Sequence, residues 1–130
     1  MLELDSRAGT SPPANRTTQP MLLHAMDAWV RTPSVLTDAE NLCAALHAAA
    51  TAGGATVVGE EFYGFPNGGV TGVLLLAQSH LSIHTWPELA LANVDLLTCG
   101  GIDAGAVLAT IRVRLDVERA SVSCIRRALD

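Results

Sequence analysis

Within twelve residues, Ala77 to Glu88, the chain reads AQSHLSIHTWPE and sets two serines, two histidines, a tryptophan and a glutamate side by side. Cys99 adds a thiol a short way beyond. Imidazole suits general acid–base work near neutral pH, and hydroxyl and thiol are nucleophiles once a base assists them. Two simple chemistries can be weighed against these spacings. His80 and His84 share a strand parity and could give two nitrogens to a metal, with Cys99 or Glu88 completing the set. A structural or catalytic zinc needs three or four ligands, and no Cys-x-x-Cys or His-Glu-x-x-His spacing supplies them. The expectation is therefore no metal, with His80 donating to a backbone carbonyl. Ser79 or Ser82 could instead join a histidine and Asp95 or Glu88 as a hydrolase, but no Gly-x-Ser-x-Gly elbow surrounds either serine. A further restriction comes from elsewhere: all eight basic residues are arginine. With no lysine, the chain can form no lysine Schiff base with a substrate or with PLP. Carbonyl-type amine chemistry needs an electrophile of another origin.

The elements that must position these groups follow from periodicity. Met21 to Val30, MLLHAMDAWV, reads as a first strand. LTDAENLCAALHAAATAGG reads as a helix, with Thr37 or Asp38 as N-cap, Glu40 in a box-like position, Leu42, Leu46 and Ala49 on one face, and Gly53-Gly54 as the stop. A strand over 55–65, a Pro66-Asn67-Gly68-Gly69 turn and a strand from Val70 form a hairpin. In HLSIHTW the parity sends His80, Ser82, His84 and Trp86 to one face and Leu81, Ile83 and Thr85 to the other. Ser79 falls on the face opposite His84, so their cooperation requires a local bend at 78–80. A strand over 91–99, a helix over roughly 103–116 capped by Asp103 and carrying Val107, Ile111 and Leu115, and a strand over 120–129 complete the order. In that last strand either Val122 and Cys124 or Ser121, Ser123 and Ile125 face inward. This β-α, strand block, α-β order predicts an α+β domain, an antiparallel sheet with two helices on one face. The uncovered face is most simply closed by a second copy.

Composition narrows the class. A chain of 130 residues, 49% hydrophobic, is sized for one domain over 21–130, with residues 1–20 a tail rich in Ser, Thr and Pro. No apolar run approaches the roughly 18 residues of a membrane span. A net charge of −5 argues against a nucleic-acid surface. Three scattered cysteines and no secretory signal pattern fit reduced thiols in a cytoplasm, with Cys43 and Cys124 as packing residues.

As a string, SHLSIHTWPE followed by VDLLTCG closely resembles the prokaryotic S-adenosylmethionine decarboxylase proenzymes. GATVVG at 54–59 and the Phe65-Pro66-x-x-Gly69-Val70-Thr71-Gly72 segment extend the likeness from about Met21 to the C-terminus. The resemblance implies a pyruvoyl-dependent decarboxylase that cuts its own backbone between Gln78 and Ser79, leaving a β chain 1–78 and an α chain 79–130. Ser79 becomes the pyruvoyl group, His84 is the processing base, and Thr71 stands where the family has a processing serine. Cys99 matches the proton donor, Glu88 a carboxylate that holds the substrate, and Phe65 an aromatic against its adenine. The implied substrate is S-adenosylmethionine, for spermidine synthesis. It is held by a Schiff base in a homodimer or larger assembly, an αββα sandwich once dimerised, with neither PLP nor metal.

The resemblance departs at two places. The family usually has Glu before the cleaved serine, where this chain has Gln78. After HTWPE it commonly shows a small or polar residue and then Gly-Tyr, where this chain has Leu89-Ala90-Leu91. Both changes lie where substrate is held. The same chemistry on ornithine or arginine is thus an alternative, and an unprocessed partner subunit is another.

Overall fold

The computed structural model describes residues 20–128. The expected tail, apart from Pro20, lies outside the described residues. Six strands form one sheet: β1 (Met21–Val30), β2 (Val57–Gly64), β3 (Val70–Leu76), β4 (Ser79–Trp86), β5 (Leu91–Thr98) and β6 (Val117–Arg127). Their spatial order is β2-β3-β4-β5-β1-β6, and every neighbouring pair is antiparallel. Helices α1 (Ala39–Ala52) and α2 (Ala104–Arg114) complete the expected α+β layering. Among the described residues no helix is long and apolar enough to cross a membrane.

Alternation decides which face is core. Met26, Ala28, Leu74, Leu81, Ile83, Val94 and Leu96 are all fully buried on the helix side of the sheet. Leu42, Leu46 and Ala49 of α1 and Val107 and Ile111 of α2 meet them there. Each large side chain so buried contributes roughly 1.5–3 kcal/mol relative to exposure. Gly72 is needed for this packing, because a Cβ on it would come within 2.0 Å of the Phe62 ring that lies across it.

The caps differ in detail from the sequence expectations. Asp38, not Thr37, caps α1, and its carboxylate accepts from Asn41 N–H at 3.1 Å. That places Glu40 one residue too early to close a capping box. Asp103 caps α2 as expected, accepting from Ala106 N–H at 3.1 Å. The last strand begins at Val117, three residues before the expected Ala120, because pairing with β1 recruits Val117 to Arg119 across a bulge at Trp29/Val30. Register with β1 also puts Ser121, Ser123 and Ile125 on the face away from the helices and Val122 and Cys124 on the helix side.

Neither helix covers the opposite face. It carries Thr71, Val73 and Leu75 of β3 and His80, Ser82, His84 and Trp86 of β4, with Leu75 51% and Trp86 44% exposed. A polar chain crosses it: Trp86 Nε1 donates to Asn93 Oδ1 at 2.6 Å, and Asn93 Nδ2 to Asp27 Oδ1 at 2.8 Å. Beside it the Arg119 guanidinium stacks 3.8 Å from the Trp29 ring centre.

Candidate active site

The residues singled out in the sequence gather at the two ends of β4. At its start, β3 turns into β4 through only Ala77 and Gln78, since Leu76 pairs with Ser79. Gln78 takes φ +64°, a left-handed conformation that costs a non-glycine residue roughly 1–2 kcal/mol. Its carbonyl oxygen accepts from the Cys99 thiol at 3.6 Å. The Ser79 hydroxyl donates to the Leu97 carbonyl of β5. Gln78, Ser79 and Cys99 thus form one group, with Gln78 exposed at the tip and the other two half-buried.

At the other end, Thr71 Oγ1 lies 3.0 Å from His84 Nδ1, across the β3–β4 ladder. Both line a cleft of about 490 Å³ with Phe65, Pro66, Val70 and Trp86, a volume within the range of small-molecule sites. Phe65 is 46% exposed there and packs edge-on against Tyr63, centroids 4.8 Å apart. Thr85 fixes the cleft floor: its buried hydroxyl donates to Leu36 O at 2.8 Å and accepts from Val70 N–H at 2.8 Å. Glu88 sits exposed in the 3₁₀ turn Pro87–Leu89 that follows. The turn ends at Ala90 with φ +52°, where the family pattern commonly offers glycine.

One chain does not unite the two groups. His84 is five residues along β4 from Ser79, roughly 16 Å at about 3.3 Å per residue. A bend at 78–80 therefore cannot supply the cooperation expected between them. His80 and His84, about 13 Å apart on the same strand, likewise cannot share a metal.

Residues 23–128 match the sequence profile of a family described as S-adenosylmethionine decarboxylase. The chain belongs to that family. Within it, the chain is 54% identical over 65 residues to the S-adenosylmethionine decarboxylase proenzyme of Symbiobacterium thermophilum, covering 50% of this chain and 49% of that protein. The proenzyme of Pseudomonas paraeruginosa is 39% identical over 82 residues, 62% of this chain and 51% of that protein. The matches thus span about half the length of these curated relatives. A solved structure, the adenosylmethionine decarboxylase from Aquifex aeolicus VF5, superposes with a TM-score of 0.77 at 31% identity, over 86% of this chain and 93% of that one. The family resemblance drawn from SHLSIHTWPE and the α+β fold expected from periodicity both hold.

One cluster went unread in the sequence. Cys43, expected to pack, instead projects with His47 from α1 over Glu60 of β2. Cys43 Sγ donates to Glu60 Oε2 at 3.6 Å, and His47 Nε2 lies 2.5 Å from Glu60 Oε1. Burial, the Glu60 charge and the hydrogen bond to it push the Cys43 thiol above its ordinary pKa. The bonds from His47 and Cys43 hold the Glu60 carboxyl below its own. The i,i+4 spacing of Cys43 and His47 on a helix was the available signal.

Proposed function

We propose that the chain is a self-processing, pyruvoyl-dependent S-adenosylmethionine decarboxylase of spermidine synthesis, working in the cytoplasm. The observation that carries this is the group at the β3–β4 turn, inside the segment that matches the family. There the Gln78–Ser79 bond follows a left-handed residue, and the Cys99 thiol points at the Gln78 carbonyl.

In self-processing, the Ser79 hydroxyl leaves the Leu97 carbonyl and attacks the carbonyl carbon of Gln78. The C–N bond breaks and a C–O bond forms, so the amide becomes an ester. The Cys99 thiol is placed to donate to the oxygen that gains charge, the preorganised stabilisation such steps need. Release of the left-handed Gln78 removes that strain of roughly 1–2 kcal/mol from the uncut state. Removal of the Ser79 Cα proton then expels the Gln78 carboxylate, and tautomerisation with uptake of water and loss of ammonia leaves a pyruvoyl group on residue 79. The residues fit this product: a two-residue exposed turn can open without breaking a ladder, and a thiol stands beside it. The pyruvoyl carbonyl supplies the electron sink that lets carbon dioxide leave a substrate amine.

His84, polarised by Thr71, is the base we assign to the Cα proton, and Cys99 returns a proton to the substrate carbon. Phe65 offers the adenine an apolar ring in the cleft, and Glu88 a carboxylate for the ribose hydroxyls. Because His84 lies roughly 16 Å from Ser79 in one chain, we infer that two copies pair through their uncovered faces. A two-fold axis near Ser82, midway along β4, carries His84 of the second copy to the level of Ser79. The pair is the αββα sandwich, with each site shared between copies.

Intact mass of the purified protein tests the first step: it should show fragments 1–78 and 79–130, the latter blocked at its N-terminus. Ser79→Ala should remain whole. Carbon dioxide release from labelled S-adenosylmethionine, with ornithine and arginine as competitors, tests the substrate. A wild-type chain that stays whole and releases none overturns the proposal.

A further inference from the structure

Every buried residue that β3, β4 and β5 turn towards the helices is apolar except Thr85 and Thr98. On the edge strand β2 the same helix-side face carries an exposed carboxylate. A bulge between Val57 and Gly59 shifts the register so that Glu60 pairs with Leu74, a helix-side residue, and turns towards α1. Waiting above it on α1, in a run otherwise made of Ala and Leu, are Cys43 and His47, one helical turn apart. The Cys43 sulfur, an imidazole nitrogen of His47 and a Glu60 oxygen lie within 4.8 Å of one another.

We propose that Cys43, His47 and Glu60 bind one thiophilic divalent cation of the zinc class, which fastens α1 to the edge strand β2. The donor set, one sulfur, one nitrogen and one carboxylate oxygen, is that of zinc rather than of magnesium or calcium. Tetrahedral zinc with bonds of about 2.0–2.3 Å sets its ligand atoms roughly 3.3–3.6 Å apart. Cys43 Sγ already stands 3.6 Å from Glu60 Oε2, and His47 Nε2 lies 2.5 Å from the other oxygen, Oε1, so a small rotation of the carboxylate and withdrawal of His47 admit the ion. Side chains of His47 and Glu60 that are 41% and 50% exposed leave room for that adjustment. On binding, the thiol proton goes to solvent, and thiolate plus carboxylate balance the two positive charges. A fourth position is open to water, because Cys43 and Glu60 also line a surface hollow of about 330 Å³. Glu40 and Glu61 on its rim add attraction for a cation. The site stands apart from the β4 groups and does not depend on the decarboxylase proposal.

Cobalt(II) titration of the chelator-stripped full chain tests it. One ion per chain should bind with a thiolate-to-cobalt charge-transfer absorption, and added zinc should displace it and raise the thermal midpoint. Cys43→Ser should abolish the absorption, and His47→Ala and Glu60→Gln should each weaken binding by at least about 10–100-fold. Cys124→Ser should bind like the wild type. A band that survives Cys43→Ser, or affinity unchanged by Glu60→Gln, overturns the proposal. Should a variant fail to fold, the wild-type chain alone decides, since no charge-transfer band and no zinc-dependent rise in midpoint also overturn it.

Discussion

The proposed sharing of each site between two copies would have a numerical consequence for mixed assemblies. On that reading Ser79→Ala cannot be cut but keeps His84, while His84→Ala keeps Ser79 but lacks the proposed base. Produced alone, neither should process normally, and His84→Ala should slow by the roughly 10²–10⁴-fold that a positioned base contributes. Produced together in equal amounts with distinguishable tags, they pair at random, so about half of the chains sit in mixed pairs. Each mixed pair holds one site with both Ser79 and His84, and its other site lacks both. About half of the His84→Ala chains, a quarter of all chains, should therefore be cut, and every tagged fragment should carry the His84→Ala tag. Intact mass reads both numbers directly. The separation behind this estimate is the roughly 16 Å between residues 79 and 84 on one straight strand. If the mixture leaves the His84→Ala chains as whole as when produced alone, the site is not shared. If His84→Ala alone processes at the wild-type rate, His84 is not the base.

Two further outcomes follow from single contacts. Thr85→Val leaves the buried Val70 N–H and Leu36 carbonyl without the hydroxyl that serves both. It should cost roughly 2–4 kcal/mol in urea unfolding, and a loss below about 0.5 kcal/mol would count against the bonding described. In metal-free protein, alkylation of Cys43 should show an apparent pKa above that of an ordinary thiol. Glu60→Gln should lower it only part of the way, since burial, the largest cause, remains while the Glu60 charge is gone.

What the sequence disclosed depended on the range of the interactions involved. Strict alternation in HLSIHTW told the faces of β4 apart, and the caps and glycines around α1 and α2 bounded the helices, because these are local effects. The position of β1 between β5 and β6 arises from pairings between residues as distant as Leu22 and Arg126, and no local pattern encodes them. Glu60 was hidden for a subtler reason: uninterrupted alternation from Val57 puts it on the uncovered face, and only the bulge reverses it. The separation of Ser79 from His84 was available from strand rise alone. The motif's continuity suggested that its residues act on one another, whereas a strand keeps its two ends apart.

The strand order bears on what self-processing would leave behind. β1, β2 and β3 belong to residues 1–78, and β4, β5 and β6 to 79–130, yet β1 is threaded between β5 and β6. The two products are interleaved, so parting them means breaking three ladders, β3–β4, β1–β5 and β1–β6. While folded, the cut protein loses only a turn. Once unfolded, it is two separate molecules whose return requires a collision, and recovery becomes second order in concentration. Processing would thus turn a chain that can refold by itself into an enzyme that, at cellular dilution, is protected by slow unfolding.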